Sequence, residues 1–171
     1  GKKVSVTKNK KTTELKGQNI IIATGARSRE IQSLPQDGKK IIGYREAMTL
    51  SKQPKKLVVV GSGAIGIEFA HFYNAMGTDV TIVEYLDRIV PVEDEEISKQ
   101  LERSFTNSGI NILTGTEVKS VDTKGKDIKV TLKTNKGEEI ITTDTVLSAV
   151  GIKTNIENIG LEEVGIATDQ D

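Results

Sequence analysis

The sequence predicts an α/β protein: a three-layer parallel sheet with helices and an antiparallel β-meander. Three observations predict it. Between residues 56 and 113, short Val- and Ile-rich runs alternate with segments of helical period, the order of parallel strands joined by crossover helices. The chain of 171 residues has no Trp, three Phe and three Tyr, so its core must rest on Ile, Val, Leu and Ala, which suits a buried parallel sheet. From residue 117 the pattern changes to strand-like alternation around the turns KGK and NKG.

Each element follows from its own residues. Residues 3–16 alternate loosely around KNKK and predict a short polar hairpin. Residues 19–24, NIIIAT, predict a buried strand ending at Gly25. Residues 26–40 are polar, with Pro35 and Gly38, and predict a loop or linker. Ile41 and Ile42 predict a brief strand, and residues 44–51 a short helix stopped by Lys52, Gln53 and Pro54. Residues 56–60 are the next strand. Residues 64–76 carry Ile65, Phe69, Phe72 and Tyr73 at helical spacing, with Gly77 where a C-terminal cap is expected. Residues 79–84, DVTIVE, predict a strand. Residues 94–107 predict a helix with acids in its first turn and Ile97, Leu101 and Phe105 on one face. A short strand over 110–113 comes next, then meander strands over 117–122, 127–134 and 139–143. A last apolar strand over 145–150 ends at Gly151.

Composition excludes several function classes. Lys plus Arg and Asp plus Glu each total 24, so no global field favours nucleic acid or an anionic membrane, and the lysines of KKVSVTKNKK predict a solvated face. With no cysteine there is no thiolate–metal site, iron–sulfur cluster or thiol nucleophile, and no metal site is expected. No apolar run approaches the roughly 20 residues of a membrane span, and the start lacks the apolar centre of a secretion signal, so a cytoplasmic setting is expected. Both ends fall inside structural patterns, which suggests a piece of a longer chain.

The chemistry concentrates at VVVGSGAIGIEFA, residues 58–70, where Gly61, Gly63 and Gly66 follow a stiff β-branched run. A G-x-G-x-x-G is weak evidence alone. Here a strand precedes it, a helix opens through it, and a second strand ends in an acid, the context of a Rossmann-like dinucleotide site. Gly61 permits the turn off the strand, Gly63 lets a pyrophosphate approach bare backbone, and Gly66 lets the helix pack on the sheet. The helix N-terminus offers amide donors and the positive end of its dipole.

The acid is Glu84, 18 residues past Gly66, where about 20 is expected for a carboxylate on the adenosine ribose. A carboxylate there accepts ribose hydroxyls and repels a 2′-phosphate, so NAD is favoured over NADP. Arg88 has the charge to receive such a phosphate, but beside Glu84 it is better read as a surface or ribose-edge ion partner. Glu68 has two readings, a first-turn acid favoured by the helix dipole or a group facing the nicotinamide half of the crevice. His71, the only histidine, has no acid or nucleophile partner in evidence and is read as structural.

Two further stretches carry a family resemblance. IIIATGAR at 20–27 resembles the ATG motif joining the FAD and NAD domains of FAD-dependent pyridine nucleotide-disulfide oxidoreductases. TVLSAVGIKTNIENIGLEEVGI at 145–166 resembles that family's second crossing motif, commonly built on Gly-Arg-x-Pro-Asn. With VTIVEYLDRIVP and SGINILTGTEV, the likeness runs through nearly the whole chain, and its texture is similar to that of the dihydrolipoamide dehydrogenases.

The resemblance implies that Gly61, Ser62, Gly63, Ala64, Ile65 and Gly66 hold the NAD pyrophosphate and that Glu68 reaches toward nicotinamide. It implies Glu84 on the adenosine ribose, Val118 against the adenine and Gly151 on the nicotinamide side, with Thr24, Gly25 and Ala26 approaching FAD. The parent enzyme would pass electrons from dihydrolipoamide through a disulfide and FAD to NAD, as a homodimer within 2-oxo acid dehydrogenase complexes. Its flavin domain with the redox cysteines would precede residue 1, and its dimerisation domain with a catalytic His-Glu pair would follow residue 171. Residues 1–39 are then the tail of the FAD domain with the crossover linker, 40–151 the NAD-binding domain, and 152–171 the return toward the FAD domain. No residue of this chain is assigned a catalytic role, and alone it is expected to bind NAD(H) weakly and turn nothing over. Ile152, Lys153 and Thr154 stand where Arg and Pro are usual, which keeps NADH oxidases, mercuric reductases and coenzyme A disulfide reductases open. A non-catalytic nucleotide-binding module is the remaining alternative.

Overall fold

The computed structural model describes residues 2–169. The chain divides into two compact units, one made of the residues up to Arg27 together with those from Lys153 onward, the other Ser28–Ile152.

The first unit opens with β1 (Lys3–Lys8) and β2 (Lys11–Lys16), an antiparallel hairpin pairing Lys8 with Lys11. Asn9 and Lys10, at φ 52° and 63°, form the two-residue turn with both central residues left-handed that matches strand twist. The predicted hairpin is present. The buried strand predicted over residues 19–24 is not: no strand forms there, and Ile20, Ile21 and Ile22 are 45%, 90% and 44% exposed. β-branched residues favour a pleated surface only where neighbouring strands supply pairing and burial, and no described strand pairs with this run. The chain next forms β3 (Ala26–Ser28), inside a stretch predicted to be loop.

In the second unit, the 28–39 segment is anchored by Leu34, which is fully buried. Asp37 then delivers the chain into β4 (Ile41–Ile42), its Oδ1 accepting the N–H groups of Lys39, Lys40 and Ile41. Burial pushes the Asp37 carboxyl up, but these backbone donors outweigh it and the net shift is downward. Helix α1 (Tyr44–Ala47) is a single turn, shorter than the 44–51 predicted, because three-residue-spaced bonds such as Thr49 N–H to Glu46 O close it early. Next are β5 (Lys56–Val60), α2 (Ala64–Ala75), β6 (Asp79–Val83), α3 (Glu95–Asn107) and β7 (Asn111–Leu113). The meander is β8 (Glu117–Asp122), β9 (Ile128–Thr134) and β10 (Gly137–Thr143), and β11 (Thr145–Ser148) returns to the parallel sheet. β12 (Ile152–Thr154) pairs with β3, and the boundary between the units falls inside both strands.

The parallel sheet has the order β4-β11-β5-β6-β7, and the meander the order β10-β9-β8. Alternation along the strands splits the core in two. Leu57, Val59, Val80, Ile82 and Leu147 pack with Ala70 and Tyr73 of α2 and Phe105 of α3. Val58, Val60, Val83 and Val146 pack with Val118, Ile128, Val130 and Leu132 of the meander. Helices, sheet and meander are therefore three layers, as predicted. Each fully buried Leu, Ile or Val contributes about 1.5–3 kcal/mol of apolar burial.

Both longer helices end as their sequence requires. After α2, Gly77 at φ 93° donates to Asn74 O while Thr78 N–H reaches Tyr73 O, and after α3 Gly109 and Ile110 repeat this pattern onto Thr106 and Phe105. Asp94 caps α3 by accepting from Glu96 N–H. Of the apolar residues predicted on these faces, Tyr73 and Phe105 are buried and Phe69 and Leu101 pack against the core, but two are not covered. Phe72 and Ile97 are each 54% exposed, while Gly66, Ala70 and Tyr73 of α2 and Ser98 and Phe105 of α3 are buried. Small residues permit close backbone approach to the sheet, so bulk alone misidentifies the inner face. No helix among the described residues is long and apolar enough to cross a membrane.

Candidate functional site

The chain leaves β5 through α2, β6, α3 and β7 on one side and returns through the meander to β11 on the other. Between β5 and β11 the direction of winding reverses, and ligands of open parallel sheets bind at the carboxyl ends of such strands. At β5 that end is the glycine loop; at β11 it is the segment of residues 149–151.

The three glycines are required for different reasons. Gly61 has φ 97°, and a Cβ on it would lie 2.4 Å from Ala149 O. A Cβ on Gly66 would lie 2.0 Å from Gly61 O, so α2 packs too closely for any side chain. Gly63 has φ −68°, ordinary for any residue, and no heavy atom within 4 Å of a built Cβ. The protein itself accounts for Gly61 and Gly66. No protein atom accounts for Gly63, whose backbone faces open space.

Gly63 is also the N-cap of α2, without a side-chain cap, and the first helical bond runs from Ile67 N–H to Gly63 O. The first-turn amides of this 12-residue helix therefore face the open space beside Gly63 with the positive end of its dipole. That cradle suits a diphosphate. A separate cavity of about 470 Å3, in the unit containing residues 153–169, has Glu157, Glu162, Glu163 and Asp169 on its walls and suits an anion poorly.

Glu84 follows β6 and is only 8% exposed. Its Oε2 accepts from Ser62 N–H at 2.8 Å and Ser62 Oγ at 2.6 Å, and its Oε1 accepts from Leu86 N–H at 2.9 Å. Ser62 is wholly buried, and its carbonyl accepts from Val90 N–H. The glycine loop, the strand-end acid and the 84–94 loop are thus joined through one serine. The resemblance implies Ser62 only among the residues on the pyrophosphate; nothing in its spacing shows a side-chain bond to Glu84 across 22 residues.

The other predicted positions are spread more widely. Ala64 and Ile65 form the first turn of α2. Glu68 is exposed and is the fifth residue of α2, so the first-turn reading is corrected: the helix opens at Ala64, and dipole effects fade beyond the first turn. His71 stacks on Phe105, ring centroids 6.1 Å apart, in keeping with a structural role. Arg88 donates through Nη2 to Pro91 O within its own loop. Val118 is buried in the meander-side core, with 6% exposure. Gly151 has φ 113°, and its carbonyl accepts from Arg29 N–H.

Thr24, Gly25 and Ala26 belong to the other unit. There Asn155 clamps the segment: its Nδ2 donates to Thr24 O, its N–H to Gly25 O, and its Oδ1 accepts from Arg27 at 2.7 Å. Arg27 also pairs with Glu157, and hydrogen bonds from Arg27 and then Lys153 hold the Glu157 carboxyl down to about 2. Asn155 and Glu157 are residues the sequence reading does not assign; Asn155 stands where the crossing motif has its Asn, and Glu157 carries no such signal.

Known proteins resemble this chain in sequence and fold. A sequence model of the family described as "Pyridine nucleotide-disulphide oxidoreductase" matches residues 1–171. A dihydrolipoyl dehydrogenase of Rhizobium etli is 46% identical over 154 residues, covering 90% of this chain and 32% of that protein. One from Zymomonas mobilis is 40% identical over 159 residues, covering 91% and 34%. The crystal structure of LpdA from Mycobacterium tuberculosis superposes with a TM-score of 0.84 at 32% identity, covering 97% of this chain and 36% of that one. The chain thus spans about a third of the length of the curated relatives it matches. It belongs to the pyridine nucleotide-disulphide oxidoreductase family, whose members use a flavin and a pyridine nucleotide.

Proposed function

From that membership we propose that residues 40–151 are the NAD(H)-binding domain of a dihydrolipoamide dehydrogenase, with residues 1–39 and 152–171 belonging to its flavin-binding part. The observation that carries this is the open Gly63 backbone at the winding switch, one strand from Glu84. In this reading Gly61 and Gly66 shape the loop, and the amides around Gly63, Ala64 and Ile65 receive the diphosphate. Glu84 accepts a ribose hydroxyl and repels a phosphate on it. Gly151 and Glu68 border the nicotinamide half, and Val118 backs the adenine side. Thr24, Gly25 and Ala26 lie toward FAD.

A bound NAD+ would supply the hydride acceptor, held by the amides around Gly63, Ala64 and Ile65 and by Glu84. This chain's own part is to bind, orient and exclude water, since the redox chemistry belongs to the cofactors. The parent reaction would convert dihydrolipoamide and NAD+ to lipoamide, NADH and a proton, in a homodimer serving 2-oxo acid dehydrogenase complexes. A second reading, another disulfide reductase or NADH oxidase on the same scaffold, is favoured by Ile152, Lys153 and Thr154 standing where the family commonly has Arg and Pro.

Calorimetric titration of the chain tests the proposal. NADH should bind at least about tenfold more tightly than NADPH, a difference near 1.4 kcal/mol. Glu84→Ala should narrow that ratio; equal affinities in the unaltered chain would defeat the selection of NAD.

A further inference from the structure

We infer that Ser62 sets coenzyme selectivity through Glu84, pinning the carboxylate so that only Oε1 has an acceptor site left for a ribose hydroxyl. This rests on the dinucleotide reading and adds a residue to it. An ionised carboxylate offers about four acceptor sites, two on each oxygen. Ser62 N–H and Ser62 Oγ, at 2.8 and 2.6 Å, fill both sites of Oε2, and Leu86 N–H, at 2.9 Å, fills one of Oε1. One site remains.

The pinning is rigid because each member is itself held. Ser62 is fully buried between strand and helix, and its carbonyl accepts from Val90 N–H at 3.1 Å. Glu84 N–H donates to Leu113 O and Glu84 O accepts from Thr116 N–H, so the backbone beneath the carboxylate is anchored on both sides. Only the 8% of Glu84 left exposed is open to a ligand. A freely rotating glutamate would offer two oxygens to vicinal hydroxyls; this one offers one, in a fixed direction. Charge-assisted bonds such as Ser62 Oγ to Glu84 are the stronger class of hydrogen bond, so losing one releases the orientation. Ser62 is therefore a positioning residue: it meets the ribose only through Glu84.

The test is a double-mutant cycle read by titration with NADH and NADPH, with melting temperature followed for every variant. Ser62→Ala keeps the backbone donor and removes Oγ; it should lower the NADH-over-NADPH ratio about fivefold, mainly by weakening NADH, a loss in the range of one ordinary hydrogen bond. Ser62→Cys, nearly the same shape with a weak donor, should shift the ratio the same way by less, and it carries the test if the alanine variant does not fold. In a Glu84→Ala background, Ser62→Ala should leave the ratio unchanged. A ratio equal to the unaltered chain's in both folded Ser62 variants, or an equal shift without Glu84, would overturn the inference while leaving the dinucleotide reading intact. Failure of the unaltered chain to bind either coenzyme would overturn both.

Discussion

Every buried apolar side chain among the described residues lies in 28–152, whereas the unit of residues 2–27 and 153–169 contains none. That unit is not short of apolar residues. Val4, Val6, Leu15, Ile20, Ile21, Ile22, Ile159, Val164 and Ile166 are all there, and all are exposed. What it has instead is polar order: a hairpin, the Asn155 clamp on Thr24 and Gly25, and the Arg27–Glu157 pair. The two regions have similar raw material and different fates. Apolar residues stabilise a fold only when a second layer covers them, and sheet, helices and meander do that in one region alone. Exposed ion pairs and side-chain hydrogen bonds, by contrast, can fix a local geometry while contributing little to stability.

The sharpest way to break this comparison lies inside the glycine loop. Gly66→Ala would drive a methyl into Gly61 O, and the shift needed should cost about 3 kcal/mol or more, measured as a drop in denaturant midpoint. Gly63→Ala meets no protein atom and should cost less than about 1 kcal/mol, as expected at an N-cap, yet weaken dinucleotide binding. Equal stability losses would show that all three glycines serve packing alone.

The second contrast is between core and exposed aliphatics. Leu147→Ala, at a fully buried position in the central sheet, should cost about 2–5 kcal/mol in urea unfolding. Ile21→Ala, at 90% exposure, should change stability by less than about 0.5 kcal/mol. A large effect at Ile21 would mean that the isoleucine run is covered in solution.

The smallest effect is electrostatic. The Glu157 carboxyl is held by Arg27 and Lys153 at about 2, below the ordinary glutamate value of 4.5. Because the folded value is depressed, the contribution of this pair is complete above pH 4.5, fades as pH falls, and is gone below about 2. A carboxyl NMR titration should place Glu157 near 2, and Arg27→Ala should return it toward 4.5 with the melting of the 28–152 unit unchanged. A Glu157 that titrates normally in the unaltered chain would remove the polar clamp from the comparison.

Much of this architecture is legible in the amino-acid sequence. Residues 56–60, 79–84 and 145–150 announce parallel strands because Val and Ile runs of that length need burial on two faces, and strands form over 56–60, 79–83 and 145–148. Gly77 terminates a helix by a backbone conformation that favours glycine, so local sequence suffices there. The strand predicted over 19–24 fails for the opposite reason: its residues specify a preference, and pairing is a property of neighbours. Phe72 and Ile97 mislead more narrowly: they share helical spacing with the buried Tyr73 and Phe105 yet stay exposed, since period fixes which residues share a face but not how far its cover extends.

At the candidate site the division is similar. The amino-acid sequence alone determines a strand–glycine loop–helix with an acid one strand later, because turn geometry and spacing act over a few residues. Only the tertiary structure decides that Gly61 and Gly66 serve packing while Gly63 faces open space, and that Glu84 spends one oxygen on Ser62. Those outcomes depend on what Ala149, Leu86 and Val90 bring from distant parts of the chain, and no local pattern encodes the distance between atoms that only folding brings together.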